Sequence, residues 1–115
     1  MIASKASADH FNSKVIQSAM GSLFRVKLIR ADYHEINDDR PIYCMDGSGR
    51  SIHELEELTP GILVVGNEGK GVKTHIMKAA RQIIAIPKVG QAESLNAAVA
   101  CGVVCAIIKL SLIHI

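Results

Sequence analysis

The residues of this chain best suited to chemistry lie in two glycine-spaced stretches. The first is Ile62-Leu-Val-Val-Gly-Asn-Glu-Gly-Lys-Gly-Val72, and the second is Ile84-Ala-Ile-Pro-Lys-Val-Gly-Gln-Ala-Glu-Ser-Leu-Asn-Ala-Ala-Val-Ala100. Glycine lets a backbone approach a ligand closely. The loop holding Gly66, Asn67, Glu68, Gly69 and Gly71 could therefore wrap a small molecule. A phosphate-binding P-loop is excluded, because it needs Gly-Lys-Ser/Thr at its end and here Val72 follows Gly71. Glu68 would also repel phosphates. A dinucleotide fingerprint reads G-x-G-x-x-G, whereas this loop reads G-x-x-G-x-G. An ordinary strand-to-helix turn remains open for the first stretch alone. In the second, Ser94 and Asn96 fall at the start of a helix, where free amides position polar groups. Ser94 also reads as a simple N-cap.

Each stretch runs an apolar strand into a polar loop and then into a helix. That layout places a ligand site at the carboxyl ends of neighbouring strands of an α/β sheet. Taken together, Gly66-Asn-Glu-Gly-Lys-Gly71, Ile86-Pro87 and Ser94-Leu95-Asn96 resemble the second and third signature motifs of the SpoU (TrmH-type) RNA ribose methyltransferases, members of the SPOUT superfamily. The resemblance covers most of residues 2 to 109. It implies an α/β fold with a mainly parallel sheet, flanking helices and a trefoil knot, a homodimer, and S-adenosylmethionine as cofactor. It further implies transfer to a ribose 2′-hydroxyl of rRNA or tRNA in the cytoplasm. Gly66, Ile86 and Leu95 would supply much of the backbone contact to the cofactor, with Asn67, Gly69, Gly71 and Pro87 completing the pocket. Glu68 would orient ligand or RNA, acting with Ser94 and Asn96 on the reaction side.

Methyl transfer to a hydroxyl needs a proton acceptor. The family assigns that role to an Arg in an upstream Asn-x-Gly…Arg block, which is absent from this sequence. Arg25, Arg30, Arg40, Arg50 and Arg81 stand in other contexts. The chain thus reads as an N-terminally truncated, by itself inactive, part of a catalytic domain over residues 1–109, with Met1 as an internal start. The segment Lys14 to Val26 resembles a further family block, in which Arg often stands where this chain has Gln17. The tail Leu110 to Ile115 departs from the family. It is expected to be non-native, a read-through of a sequencing-library adapter. Two other functions stay open: a non-catalytic dimerisation or RNA-binding module of this fold, and a nucleotide-binding α/β domain.

The elements that must position these loops follow from hydrophobic spacing. Ile2 to Ser4 reads as the tail of a strand. Phe11, Val15, Ile16 and Ala19 form one stripe of a helix over 9–20, with Asn12 or Ser13 as N-cap and Gly21 after its last turn. Leu23 to Ile29 alternates and predicts a half-buried strand, with Arg25 and Lys27 on its open face. An acidic loop over 31–40, a short strand over 41–45 and a turn at Asp46-Gly-Ser-Gly49 come next. One helical turn is expected within 51–58. The all-apolar run 62–65 predicts a central parallel strand. A helix over 72–81 follows, with Val72, Ile76 and Ala79 or Ala80 inward, and then a buried strand over 83–86 that Pro87 ends. The last helix, 94–109, is apolar nearly all round, which requires cover on both sides. A second subunit is the natural partner.

Composition sets the outer bounds. The chain has 115 residues, 49% of them hydrophobic and 21% charged, enough for one domain with a real core. A net charge of +2 permits nucleic-acid contact without arguing for it. Two Tyr, two Phe and no Trp disfavour an aromatic base-stacking platform. The three cysteines form no CxxC pair, and Cys101 and Cys105, four apart on one helix face, read as small apolar core residues in a reducing compartment rather than as a metal or disulfide site. Five histidines without ligand spacing give no support for a metal site. Met1 to His10 lacks the apolar core of a leader, and the apolar stretch 95–108 is short for a membrane span.

Overall fold

The computed structural model describes residues 1–56, 58–91 and 95–113. The chain forms two compact units, Met1–Asp38 and Asp39–Ile115.

The first unit is built on two short parallel strands, β1 (Ile2–Ala3) and β2 (Ile29–Arg30), with Ile2 opposite Ile29. Between them lies helix α1 (Ser13–Ala19), shorter than its apolar stripe suggested. Asn12 is its cap: the side-chain oxygen accepts from the Lys14 amide at 2.9 Å. Val15 and Ala19 are half-buried, while Phe11 is 65% exposed. The predicted strand over 23–29 does not form. Met20 and Gly21 both take positive φ, and the chain then closes a 3-10 turn over Ser22–Phe24. The Ser22 hydroxyl donates to the Ala19 carbonyl at 2.7 Å, and the amides of Arg25 and Val26 return to Ser22. Local hydrogen bonds thus outcompete the alternating pattern, leaving only Ile29 and Arg30 to pair. The acidic segment, expected as a loop, holds a 3-10 turn over Tyr33–Glu35, fastened by the Asp32 amide donating to Glu35 and by a Lys5–Glu35 ion pair.

The second unit is a three-stranded parallel sheet in the order β4-β3-β5, with β3 (Ile42–Ser51), β4 (Ile62–Val64) and β5 (Gln82–Ala85). The strand expected to end at Met45 continues to Ser51, and Asp46–Gly49 is not a turn between strands. Met45 and Arg50 both face Ile84, so the residues between them have no counterpart on β5 and bulge from the ladder. Gly49 is required there, because a Cβ would stand 2.6 Å from the backbone of Ile83. The apolar run of β4, expected as a central strand, lies at the edge of this sheet. Ser51 caps a 3-10 turn over Ile52–Glu54, within the predicted helical segment. Helix α2 (Thr74–Ala79) connects β4 to β5 and lies against β3. Helix α3 (Ala97–Ile113) is the longest element. It runs through Leu110 to Ile113 of the proposed non-native tail, and residues 114 and 115 lie outside the described residues.

The core of this unit gathers Tyr43, Ile52, Ile84 and Val104, so α3 and the sheet share one apolar centre. The Tyr43 hydroxyl sits 3.1 Å from the Thr59 carbonyl, to which it donates. Ile84 is fully buried. Its replacement by Ala is expected to lower stability by about 2–5 kcal/mol, the range for emptying a closed aliphatic site. A urea midpoint read beside wild type measures this, and an unchanged midpoint would contradict the core described.

Candidate functional site

The first loop folds back on its own beginning. From β4 the chain passes Val65 and turns at Gly66, where a Cβ would lie 2.2 Å from the carbonyl carbon of Gly71. Only glycine permits that approach. Gly71 itself has φ +66°. Its amide donates to the Asn67 carbonyl at 2.7 Å, closing the loop. The Asn67 side-chain oxygen accepts from the amides of Gly69 and Lys70, at 2.8 and 3.3 Å, which fixes the turn from inside.

The second loop leaves β5 at Ala85 and passes Ile86, Pro87 and Lys88 before α3. The N-terminus of α3 joins the two loops. The Asn96 carboxamide oxygen accepts from the amides of Ala98 and Val99, at 2.9 and 3.3 Å, so Asn96 caps the helix. Its amide nitrogen donates to Glu68 Oε1 at 2.9 Å, and the Ala97 amide points to the same oxygen at 3.4 Å. A carboxylate at a helix N-terminus meets both free amides and the favourable end of the dipole. Glu68 therefore ties the tip of the first loop to the start of α3.

Beside this junction lies a cavity of about 430 Å³. That volume suits a small organic ligand. Of the residues singled out from sequence, Gly66, Asn67, Glu68, Gly71, Ile86, Pro87 and Leu95 line it. Gly69 is not among the lining residues and serves the turn within the loop. Asn96 is not among the lining residues and is engaged with Glu68 and with the helix. Ser94 lies outside the described residues.

Sequence reading missed the third contributor. The bulge of β3 brings Met45, Asp46 and Gly47 to the cavity. The Asp46-Gly-Ser-Gly signal was visible, but as a turn. Asp46 Oδ1 accepts from the Ser48 hydroxyl at 2.6 Å and the Ser48 amide at 2.9 Å. These bonds, the hydroxyl first, hold its carboxyl below the usual range and keep it ionised at neutral pH. Of the two thiols read as core, Cys101 is half-buried and Cys105 is exposed, whereas Cys44 is buried. Burial pushes the Cys101 thiol up, and Cys105 with its sulfur 4.0 Å away adds to this. Among the described residues no group of His, Cys, Asp and Glu is placed to hold a metal ion. Among them, too, no helix is long and apolar enough to cross a membrane.

A parallel α/β unit with a ligand-sized cleft at the carboxyl ends of β4 and β5, beside the bulge of β3, is the arrangement of a nucleotide- or cofactor-binding domain. A model of the SpoU rRNA Methylase family matches residues 1–106, and the chain belongs to that family. It is 32% identical over 102 residues to the 23S rRNA (guanosine(2553)-2'-O)-methyltransferase RlmP of Bacillus subtilis, covering 84% of this chain and 41% of that protein. A TrmH-family structure from Porphyromonas gingivalis superposes with a TM-score of 0.79 at 29% identity, over 93% of this chain and 47% of that one. The SpoU methyltransferase AviRb from Streptomyces viridochromogenes, in complex with AdoMet, shares the fold at a TM-score of 0.88 and 24% identity, over 98% of this chain and 49% of that one. The chain thus spans about half or less of the length of these relatives.

Proposed function

We propose that this chain holds S-adenosylmethionine in the cavity between its two loops, as the cofactor-binding part of an RNA 2′-O-ribose methyltransferase acting on rRNA or tRNA. The Glu68–Asn96 hydrogen bond carries this reading, because it brings the two motifs onto one cavity. The wall also suits such a ligand. Ile86 and Leu95 offer apolar surface to an adenine, the loop backbones offer amides and carbonyls, and Asp46 offers a negative charge to a cation. The RNA-modifying relative from Bacillus and the AdoMet-bound neighbour support the same assignment.

When bound, S-adenosylmethionine supplies an electrophilic methyl group. Gly66, Asn67, Gly71, Ile86, Pro87 and Leu95 hold the cofactor, and Gly69 keeps their loop closed. Glu68 and Asn96 fix the start of α3 against the first loop, and Ser94 acts with them toward the ribose. The family's knotted topology, a cytoplasmic location and a homodimer through α3 belong to this reading. An Asn-x-Gly…Arg block is absent from these 115 residues. The chain alone is therefore expected to bind cofactor and to transfer no methyl group.

Calorimetry with S-adenosylmethionine and with ATP tests this. Saturable binding of the first and none of the second is the expected result. Binding of ATP alone would overturn the proposal in favour of a nucleotide-binding domain. Methyl incorporation into unmodified RNA, lost in Asn96→Ala, would show that the chain needs no upstream arginine.

A further inference from the structure

The cavity carries a charged group that neither loop motif contains. Asp46 reaches the wall through the β3 bulge. Among the described residues only its Oδ1 is occupied, by the two bonds from Ser48. Its Oδ2 faces the first loop, 3.8 Å from where a Cβ on Gly71 would stand. Among the described residues Asp46 has no ion-pair partner. The other carboxylate among the described lining residues, Glu68, is already engaged at the start of α3. Most of the remaining surface is aliphatic or glycine, with Lys88 the one basic side chain among the lining residues. A carboxylate held ionised beside an apolar surface favours a ligand that brings its own positive charge.

Resting on the cofactor reading above, we propose that Asp46 is a specificity-determining residue that distinguishes the positively charged sulfonium of S-adenosylmethionine from the neutral thioether of S-adenosylhomocysteine. The two molecules share adenine, ribose and amino-acid arm, and differ in one methyl group and one charge. A negative group near sulfur stabilises the reactant and adds little to the product. Because the positive charge is lost as the methyl leaves, the carboxylate favours binding of the reactant over the product and does not lower the barrier to transfer. Ser48 is a positioning residue, since it holds Oδ1 and so aims Oδ2.

The test compares S-adenosylmethionine, S-adenosylhomocysteine and sinefungin, which carries an amine in place of the sulfonium methyl. Calorimetry on wild type and Asp46→Asn is expected to show binding of S-adenosylmethionine and sinefungin weakened about tenfold, a size suited to a half-exposed charge pair. Binding of S-adenosylhomocysteine should stay within about twofold. In wild type alone, added salt should weaken the cationic ligands and spare the thioether, a readout that needs no variant. Equal weakening of all three ligands would overturn the inference, because it would place Asp46 on the shared ribose or in the wall. An unchanged ratio with unchanged affinities would overturn it as well. Wild type that binds none of the three would overturn the proposed function, and the inference with it.

Discussion

Gly66→Ala is expected to abolish cofactor binding and to lower stability by about 3 kcal/mol, the upper part of the usual range for overpacking. The added methyl would stand 2.2 Å from the Gly71 carbonyl carbon and 2.4 Å from the Val72 nitrogen. Both are backbone atoms, so no rotamer change can relieve the clash. The loop must open, which costs the 2.7 Å bond from the Gly71 amide to the Asn67 carbonyl. Opening also carries Glu68 away from Asn96 and leaves the first turn of α3 without its bridge. Gly69→Ala is the control. Its Cβ would meet only the Asn67 side-chain oxygen, at 3.4 Å, and its φ is not positive. That variant should lie within about 0.5 kcal/mol of wild type and keep its binding. Calorimetry with S-adenosylmethionine and urea midpoints on both variants decide the matter. Wild-type affinity in Gly66→Ala would show that the closed loop is not what holds the ligand.

The same loop marks how far the sequence could be read. Glycine spacing in 66–71 and the Ile86-Pro87 strand end are local signals, and both loops stand where those signals put them. The β3 bulge is different. A turn between strands and a bulge within one use the same Asp and Gly chemistry, since both need unusual backbone angles and short polar side chains. What separates them is whether a neighbouring strand resumes pairing at Arg50, and only β5, thirty-odd residues later, settles that. Asp46 was therefore seen as turn chemistry and missed as part of the cavity wall. The stretch 23–29 fails for a related reason. Its alternation is real, but Met20 and Gly21 turn the chain so that Ser22 captures the amides a strand would have offered. Asn96 shows a third limit. Sequence brings it to the helix start, yet that its two amide atoms serve the helix and Glu68 separately depends on packing between segments 28 residues apart.

If the proposed homodimer forms through α3, placing glutamates at Val99 and Val103 together is expected to convert it to monomer. Between Ala97 and Ile108 helix α3 carries no charged residue. One side of it is spent on the core, where Val104 is fully buried and Ile107 and Ile108 pack beside it. The opposite side shows Val99 at 54% and Val103 at 37% exposure. Ala98, Gly102, Cys105 and Ala106 are also exposed there. A Cβ on Gly102 would meet nothing within 4 Å, so this side is open as well as apolar. Contiguous apolar surface of this kind is uncommon on a monomer. In the proposed homodimer a second copy of the same helix would cover it without introducing an unpaired charge, and a twofold contact would count each valine twice. Burying a valine contributes roughly 1.5–3 kcal/mol, and a desolvated, unpaired carboxylate reverses the sign. The double variant should therefore raise the dimer dissociation constant at least about a hundredfold. It should leave the fold intact, since both positions point away from the core. Sedimentation equilibrium across a concentration series measures the shift, and far-UV circular dichroism checks the fold. Wild type that stays monomeric at high micromolar concentration would remove the case for a twofold partner on this face, leaving the cofactor site of the single chain to stand or fall on its own binding data.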